Sequence, residues 1–167
     1  MNKKLYQLEK QFKNFLLFFI ITLTFGVCVG LGYLFFTTNY STNKTIERYN
    51  GSSVLNKEID IPEYYPKPIS ELFITTHNHV ISFSFIFFFT GGIFYFSSIV
   101  GGRLKMFLII EPFISTIISF SSLWAMRFIN QNFVYVTAIS SSLIYLSFFS
   151  MVILIVYELG FKKNINS

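Results

Sequence analysis

Long stretches of this chain carry no charge, and that constrains its fold more than any motif does. Phe15–Phe36 runs 22 residues without a charged side chain, Val80–Val100 runs 21 and Phe133–Tyr157 runs 25. A fourth stretch, Met106–Met126, holds a single charge at Glu111. A helix rises about 1.5 Å per residue, so about 20 residues cross a hydrocarbon core about 30 Å thick. Each stretch is therefore long enough to span a bilayer. Composition agrees: 53% of the 167 residues are hydrophobic and 13% are charged, where a soluble domain carries about a quarter.

The expected fold is an all-α membrane protein. Residues 1–167 form one integral membrane domain, a four-transmembrane-helix antiparallel bundle with a long extracytoplasmic loop between helices 1 and 2. The spans are placed near 15–36, 80–100, 106–126 and 133–157, and the outer loop at 37–76. The short links at 101–105 and 127–132 make spans two, three and four antiparallel neighbours. A cleaved signal peptide is the competing reading of the first span. Its apolar region would be only about 7–15 residues before an A-x-A-like site, so an uncleaved anchor is expected.

The loop is nearly neutral, and its Asn/Ser/Thr-rich first half reads as irregular. Ile61-Pro62-Glu63-Tyr64-Tyr65-Pro66-Lys67-Pro68 reads as extended, because proline disfavours a helical predecessor. Such a segment is too small for a core of its own and must lean on the bundle or on a partner.

Basic residues flank the spans unequally. Lys3, Lys4, Lys10 and Lys13 precede the first, Arg103 and Lys105 separate the second from the third, and Lys162 and Lys163 follow the fourth. Positive flanks stay in the cytoplasm, which places both termini there. The net charge of +5 is thus read as topology and not as a nucleic-acid signal. Abundant Phe, Tyr, Ile, Asn and Lys, with alanine only at Ala125 and Ala138, suggests an AT-rich genome. The membrane would be a bacterial cytoplasmic membrane or, alternatively, an organellar inner membrane. Cys28 is the single cysteine, so no disulfide forms within the chain.

Four groups of residues invite a chemical reading. His77 and His79 are the only histidines and could share a metal ion if their segment is extended, because residues two apart then lie on one face. In a helix they point about 200° apart. Two ligands are too few for a zinc site, so Glu58, Asp60, Glu63, Glu71 or another subunit would have to complete it. A bis-histidine haem needs ligands on facing helices and is excluded within one chain. Haem survives only at an oligomer interface or with a methionine partner. The bland alternative is a pair of interfacial histidines at a helix start, and no cofactor at all.

Glu111 is an acid within an apolar span, which costs about 2.5–3.5 kcal/mol at the bilayer centre on insertion scales. Ser115, Ser119 and Ser122 follow on nearly the same face and form a polar stripe suited to an ion path or a buried polar contact. The structural alternative starts the helix at Pro112 and leaves Glu111 at the interface, paired with Arg103 or Lys105.

Small residues form the third group. His77, Ser84, Gly91 and Ser98 recur every seven residues in span two, and Gly26-x-x-x-Gly30 lies in span one. Such residues let helices approach closely, within the chain or on partner subunits. Trp124 and Arg127 form the fourth group, read as anchors at the outer interface. Ser140-Ser141-Ser142 reads as packing polarity.

No P-loop, G-x-G-x-x-G, G-x-S-x-G or C-x-x-C occurs, so no catalytic set is expected. The leading reading is a non-catalytic subunit or accessory protein of a larger membrane complex. Its partners would be the lipid bilayer and other membrane subunits or further copies of itself, with no nucleic acid. The alternatives are a metal- or haem-associated protein using His77 and His79, and an oligomeric small transporter or channel involving Glu111.

Overall fold

The computed structural model describes residues 4–52, 62 and 64–162. They form a short 3-10 turn, Leu5–Gln7, and five α-helices: α1 (Lys10–Thr38), α2 (Thr42–Asn50), α3 (Ile69–Tyr95), α4 (Gly102–Phe128) and α5 (Phe133–Gly160). No strand occurs among the described residues. Four of the helices, all but α2, are long and apolar enough to cross a membrane. The all-helical, four-span architecture expected from the charge pattern is the one the chain adopts.

Every span is longer than its uncharged stretch, and α3 is displaced. It begins at Ile69, with Pro68 capping it and Glu71 in its first turn. Proline suits the start of a helix, where the missing N–H removes no intrahelical bond. The polar run Thr75-Thr76-His77-Asn78-His79 therefore lies inside a helix and not at the mouth of one near Val80. At the other end the helix stops at Tyr95. The N–H groups of Phe96 and Ser97 turn back to Ile93 and Phe94, which frees Ser97 and Ser98 from the helix.

The segment between α1 and α3 is also more ordered than its composition suggests. Residues 42–50 form α2 where an irregular chain is expected. Nine residues are marginal as an isolated helix, and tertiary packing supplies the support. Ile46 and Tyr49 pack on Leu72, Leu123, Met126 and Val134 at the ends of α3, α4 and α5. The Lys67 ammonium lies 5.2 Å from the Tyr49 ring centre, and the Lys67 N–H donates to the Tyr49 carbonyl at 3.1 Å. Burial raises the Tyr49 hydroxyl above its ordinary pKa, partly opposed by the charge of Arg48. The Ser52 N–H donates to the Tyr64 carbonyl at 2.9 Å, which brings the two sides of the loop together.

The spans are not equivalent. α4 and α5 share the most extensive interface, and α3 packs on both. Of the most apolar stretch of each helix, 44% is buried inside the chain for α4 and 39% for α5, against 11% for α1 and for α3. α1 seats Leu16 and Ile20 against a core of Phe87, Phe94, Phe148 and Ile155, and beyond that its surface is largely open. The 3-10 turn lies under this end of the bundle: Leu5 is 1% exposed and its N–H donates to the Phe96 carbonyl at 3.2 Å. Lys162 donates to Ser98 Oγ at 2.7 Å. Both ends of the described chain thus meet the α3–α4 link on one side of the bundle.

Candidate functional site

Two buried carboxylates punctuate the interior, and each is held by serines. Glu111 sits nine residues beyond the start of α4, about 14 Å along its axis. It is 7% exposed. The Ser115 hydroxyl donates to Glu111 Oε1, and Ser147 of α5 donates to Oε2 at 2.6 Å. Two serines four residues apart from, and directly across from, the acid therefore occupy both carboxylate oxygens. This removes the reading in which a helix begins at Pro112. Pro112 lies inside α4, and the carboxylate meets serines of the helix interior instead of Arg103 or Lys105.

The serines that follow Glu111 line the same seam. Ser115, Ser119 and Ser122 are all buried, because a spacing of three or four residues keeps them on one helix face. The Ser122 hydroxyl lies 2.8 Å from Thr137 Oγ1 of α5 and bonds the Ser119 carbonyl at 2.9 Å. Ser140 is buried on the opposite wall and donates to its own helix, to Val136 O at 2.7 Å. Ser141 and Ser142 likewise donate to the Ala138 carbonyl. In hydrocarbon these local bonds satisfy hydroxyls that lack water. The stripe is a polar seam between two helices.

Glu158 is the residue that the sequence pattern hides. It looks like the polar end of the fourth span, yet it is 0% exposed. Ser97 Oγ donates to its Oε2 at 2.6 Å, Ser98 Oγ to its Oε1 at 2.7 Å, and the Ser98 N–H reaches Oε2 at 2.8 Å. The carboxylate thereby accepts from the two residues that follow α3 and fixes the start of the α3–α4 link to α5. Lys105 donates to the Ser97 carbonyl at 2.6 Å, and Lys162 to Ser98 Oγ. The sequence signal available was a serine pair at a helix end together with an acid beside an apolar span. Nothing in the sequence says that 60 residues separate two partners.

The histidines are brought into a helix, not together. His77 and His79 are both exposed in α3, so their spacing points them to different sides. His79 Nδ1 is 2.8 Å from the Thr75 carbonyl, and its ring lies 5.5 Å from that of Phe120. They stand about two turns past the helix start, which takes them away from its positive end. Among the described residues no group of three His, Cys, Asp or Glu side chains clusters. Glu58, Asp60 and Glu63 lie outside the described residues, and Glu71 is exposed.

The small-residue stripe of α3 divides. A Cβ at Gly91 would stand 3.3 Å from Ile109 Cγ2, so this glycine does permit close approach to α4. Ser84, in contrast, is exposed and bonds Val80 O in its own helix at 2.7 Å. Ser98 has left the helix for Glu158. Because the helix ends at Tyr95, the seven-residue repeat is not a continuous contact line. In α1, a Cβ on Gly26, Gly30 or Gly32 would meet nothing within 4 Å. The Gly26-x-x-x-Gly30 face makes no packing seam within the chain. Trp124 is held by its own chain: its indole N–H donates to Thr76 Oγ1 at 2.9 Å, and Phe73 crosses it at 4.6 Å. The Arg127 guanidinium lies 5.6 Å from the Phe128 ring centre.

A family model described as a transmembrane helical domain matches residues 39–166. The match begins where α1 ends and takes in α2 to α5. No curated protein matches the chain, and no solved structure does. With four apolar spans in the fold and more than half of its length matched, this multi-pass membrane protein belongs to the Aq_1264_TM family of transmembrane helical domains.

Proposed function

We propose that this protein is a non-catalytic subunit or accessory component of a larger membrane complex, with α1 as the span that meets its neighbour. The observation that carries the reading is the open glycine face of α1. Gly26 and Gly30 share one side of a helix of which 11% of the apolar stretch is buried, with nothing within 4 Å of their would-be Cβ atoms. Glycine weakens a helix interior by about 1 kcal/mol relative to alanine, and a face that only meets acyl chains gains nothing from it. Close approach of another helix does gain. The family match, which begins just after α1, agrees with a packed unit carrying an additional span. The basic flanks place both termini in the cytoplasm.

Because Cys28 points about 200° away from Gly26 and Gly30, the test moves the thiol onto their face as Thr22→Cys in a Cys28→Ser background, Thr22 being exposed one turn before Gly26. Thiol crosslinking in native membranes should trap α1 against a partner or a second copy, and Gly30→Leu should abolish the product. A Thr22→Cys, Cys28→Ser chain that yields no adduct with any protein, in membranes and in mild detergent alike, would exclude the proposal.

A second reading rests on Glu111. A carboxylate about 14 Å into a span, aligned with Ser115, Ser119 and Ser122, suits an ion path if several chains assemble. Glu111→Gln should then change uptake or conductance in reconstituted vesicles, and unchanged flux would dispose of it. The pair His77 and His79 supports a metal or haem only if another subunit completes the ligand set.

A further inference from the structure

The side of the bundle that gathers the two ends of the described chain also gathers more cations than carboxylates among the described residues. Lys4, Lys10, Lys13, Arg103, Lys105 and Lys162 lie there among the described residues, against Glu9 and Glu158. Glu158 is fully buried on Ser97 and Ser98 and offsets part of this charge, which leaves basic groups in excess. Three of the lysines are fixed in place. Lys13 Nζ donates to the Tyr6 carbonyl at 2.6 Å. Lys105 Nζ donates to the carbonyls of Ser97 at 2.6 Å and Tyr95 at 3.2 Å. Lys162 Nζ donates to Ser98 Oγ at 2.7 Å and lies 4.8 Å from the Tyr6 ring centre.

An ammonium has three donors and no acceptor. Among the described residues Lys13 and Lys162 each direct one donor into the protein and Lys105 directs two. Lys4 is near enough to Lys105 for their charges to oppose each other, a repulsion that the charge of Glu158 acts against. The 3-10 turn Leu5–Gln7, pinned through Leu5 to Phe96, is the scaffold that brings these groups together. Like charges held close by neutral oxygens repel, and an anion with several acceptor oxygens relieves that repulsion. The cluster stands at the end of membrane-spanning helices, which is the level of lipid phosphates. Lys4, Lys13, Lys105 and Lys162 are half-buried, whereas Lys10 and Arg103 are exposed.

We propose that Lys4, Lys13, Lys105 and Lys162 form a binding site for the phosphate of an anionic phospholipid, seated against the Leu5–Gln7 turn. The headgroup spans the gap between the start of α1, the α3–α4 link and the end of α5, and so ties α1 to the packed spans. Charge complementarity selects an anionic lipid over a zwitterionic one.

The test uses the full-length protein in nanodiscs of phosphatidylcholine with and without phosphatidylglycerol, read by thermal unfolding and by lipid retained after transfer to detergent. Phosphatidylglycerol is expected to raise the unfolding midpoint and to be retained in preference to phosphatidylcholine. The double variant Lys105→Gln, Lys162→Gln should lower that preference by about tenfold or more, from about 1 kcal/mol for each lysine at an anionic surface. Lys44→Gln, at the opposite end of the bundle, should leave it unchanged. Inorganic phosphate alone should not reproduce the shift; if it does, the site binds a free anion and the lipid assignment falls. Should the double variant fail to fold, the wild type decides, because strong salt must weaken retention of phosphatidylglycerol. Equal retention of both lipids, indifference to salt, or full preference in the double variant would overturn the proposal.

Discussion

Ser97 and Ser98 show how much a pair of small residues can do once a helix ends in front of them. Their hydroxyls and the Ser98 N–H converge on Glu158, with the shortest contact at 2.6 Å. Hydrogen bonds to a charged group contribute about 1.5–3 kcal/mol each. Glu158→Ala should therefore lower stability by about 3 kcal/mol, measured by denaturant unfolding in detergent. Ser97→Ala, which spares the Ser98 contacts, should cost no more than half of that. Glu111 should behave differently. Its partners Ser115 and Ser147 are hydroxyls on helices, able to turn back to their own backbone carbonyls. Glu111→Gln should thus cost about 1 kcal/mol or less. The sequence exposed Glu111 because an acid interrupts an apolar run. It concealed Glu158 because an acid just past such a run reads as solvated. Hydropathy registers position along a chain, whereas the burial of Glu158 depends on a link 60 residues away.

Among the helices, the glycines of α3 allow a controlled comparison. Gly91 faces Ile109 at a distance where an added methyl must displace its neighbour, whereas Gly92 faces open space. Gly91→Leu should destabilise the bundle by about 1–3 kcal/mol through overpacking. Gly92→Ala should be neutral or stabilising by up to about 1 kcal/mol, since alanine favours a helix. Thermal unfolding of the two variants side by side checks both. α2 supplies a pH prediction. Its Tyr49 has a raised pKa because burial disfavours the charged form. The docking free energy is then fully present below the ordinary tyrosine value and is lost as pH rises through the higher value of the folded state. Protease cleavage between α2 and α3 should accelerate over that alkaline window, and Tyr49→Phe should remove the dependence. The span count and neighbour relations were legible in the runs of uncharged residues. The start of α3 and the existence of α2 were not. Both depend on contacts, Pro68 with the helix it begins and Ile46 and Tyr49 with the distant Leu123 and Met126, that outweigh local polarity.

Across the whole molecule, α3, α4 and α5 make a packed unit, and α1 is seated on it through Leu16 and Ile20 and held to α2 at its far end by Tyr33 and Arg48. That division follows from where the side chains find partners, and composition gives no warning of it, since α1 is as apolar as the others. Weakening of the α1 seat through Ile20→Ala should cost about 2–5 kcal/mol, because Ile20 is 0% exposed in the core. The measurement is unfolding in mixed micelles, and the loss should be smaller when α1 has a bound neighbour. The closing of the bundle also imposes an order of events on synthesis. Ser97 and Ser98 enter the membrane well before the helix that carries Glu158, and Leu5 waits for Phe96 before its turn can seat. A nascent chain therefore holds this end ajar until α5 arrives, and only a polypeptide translated through Glu158 can shut it.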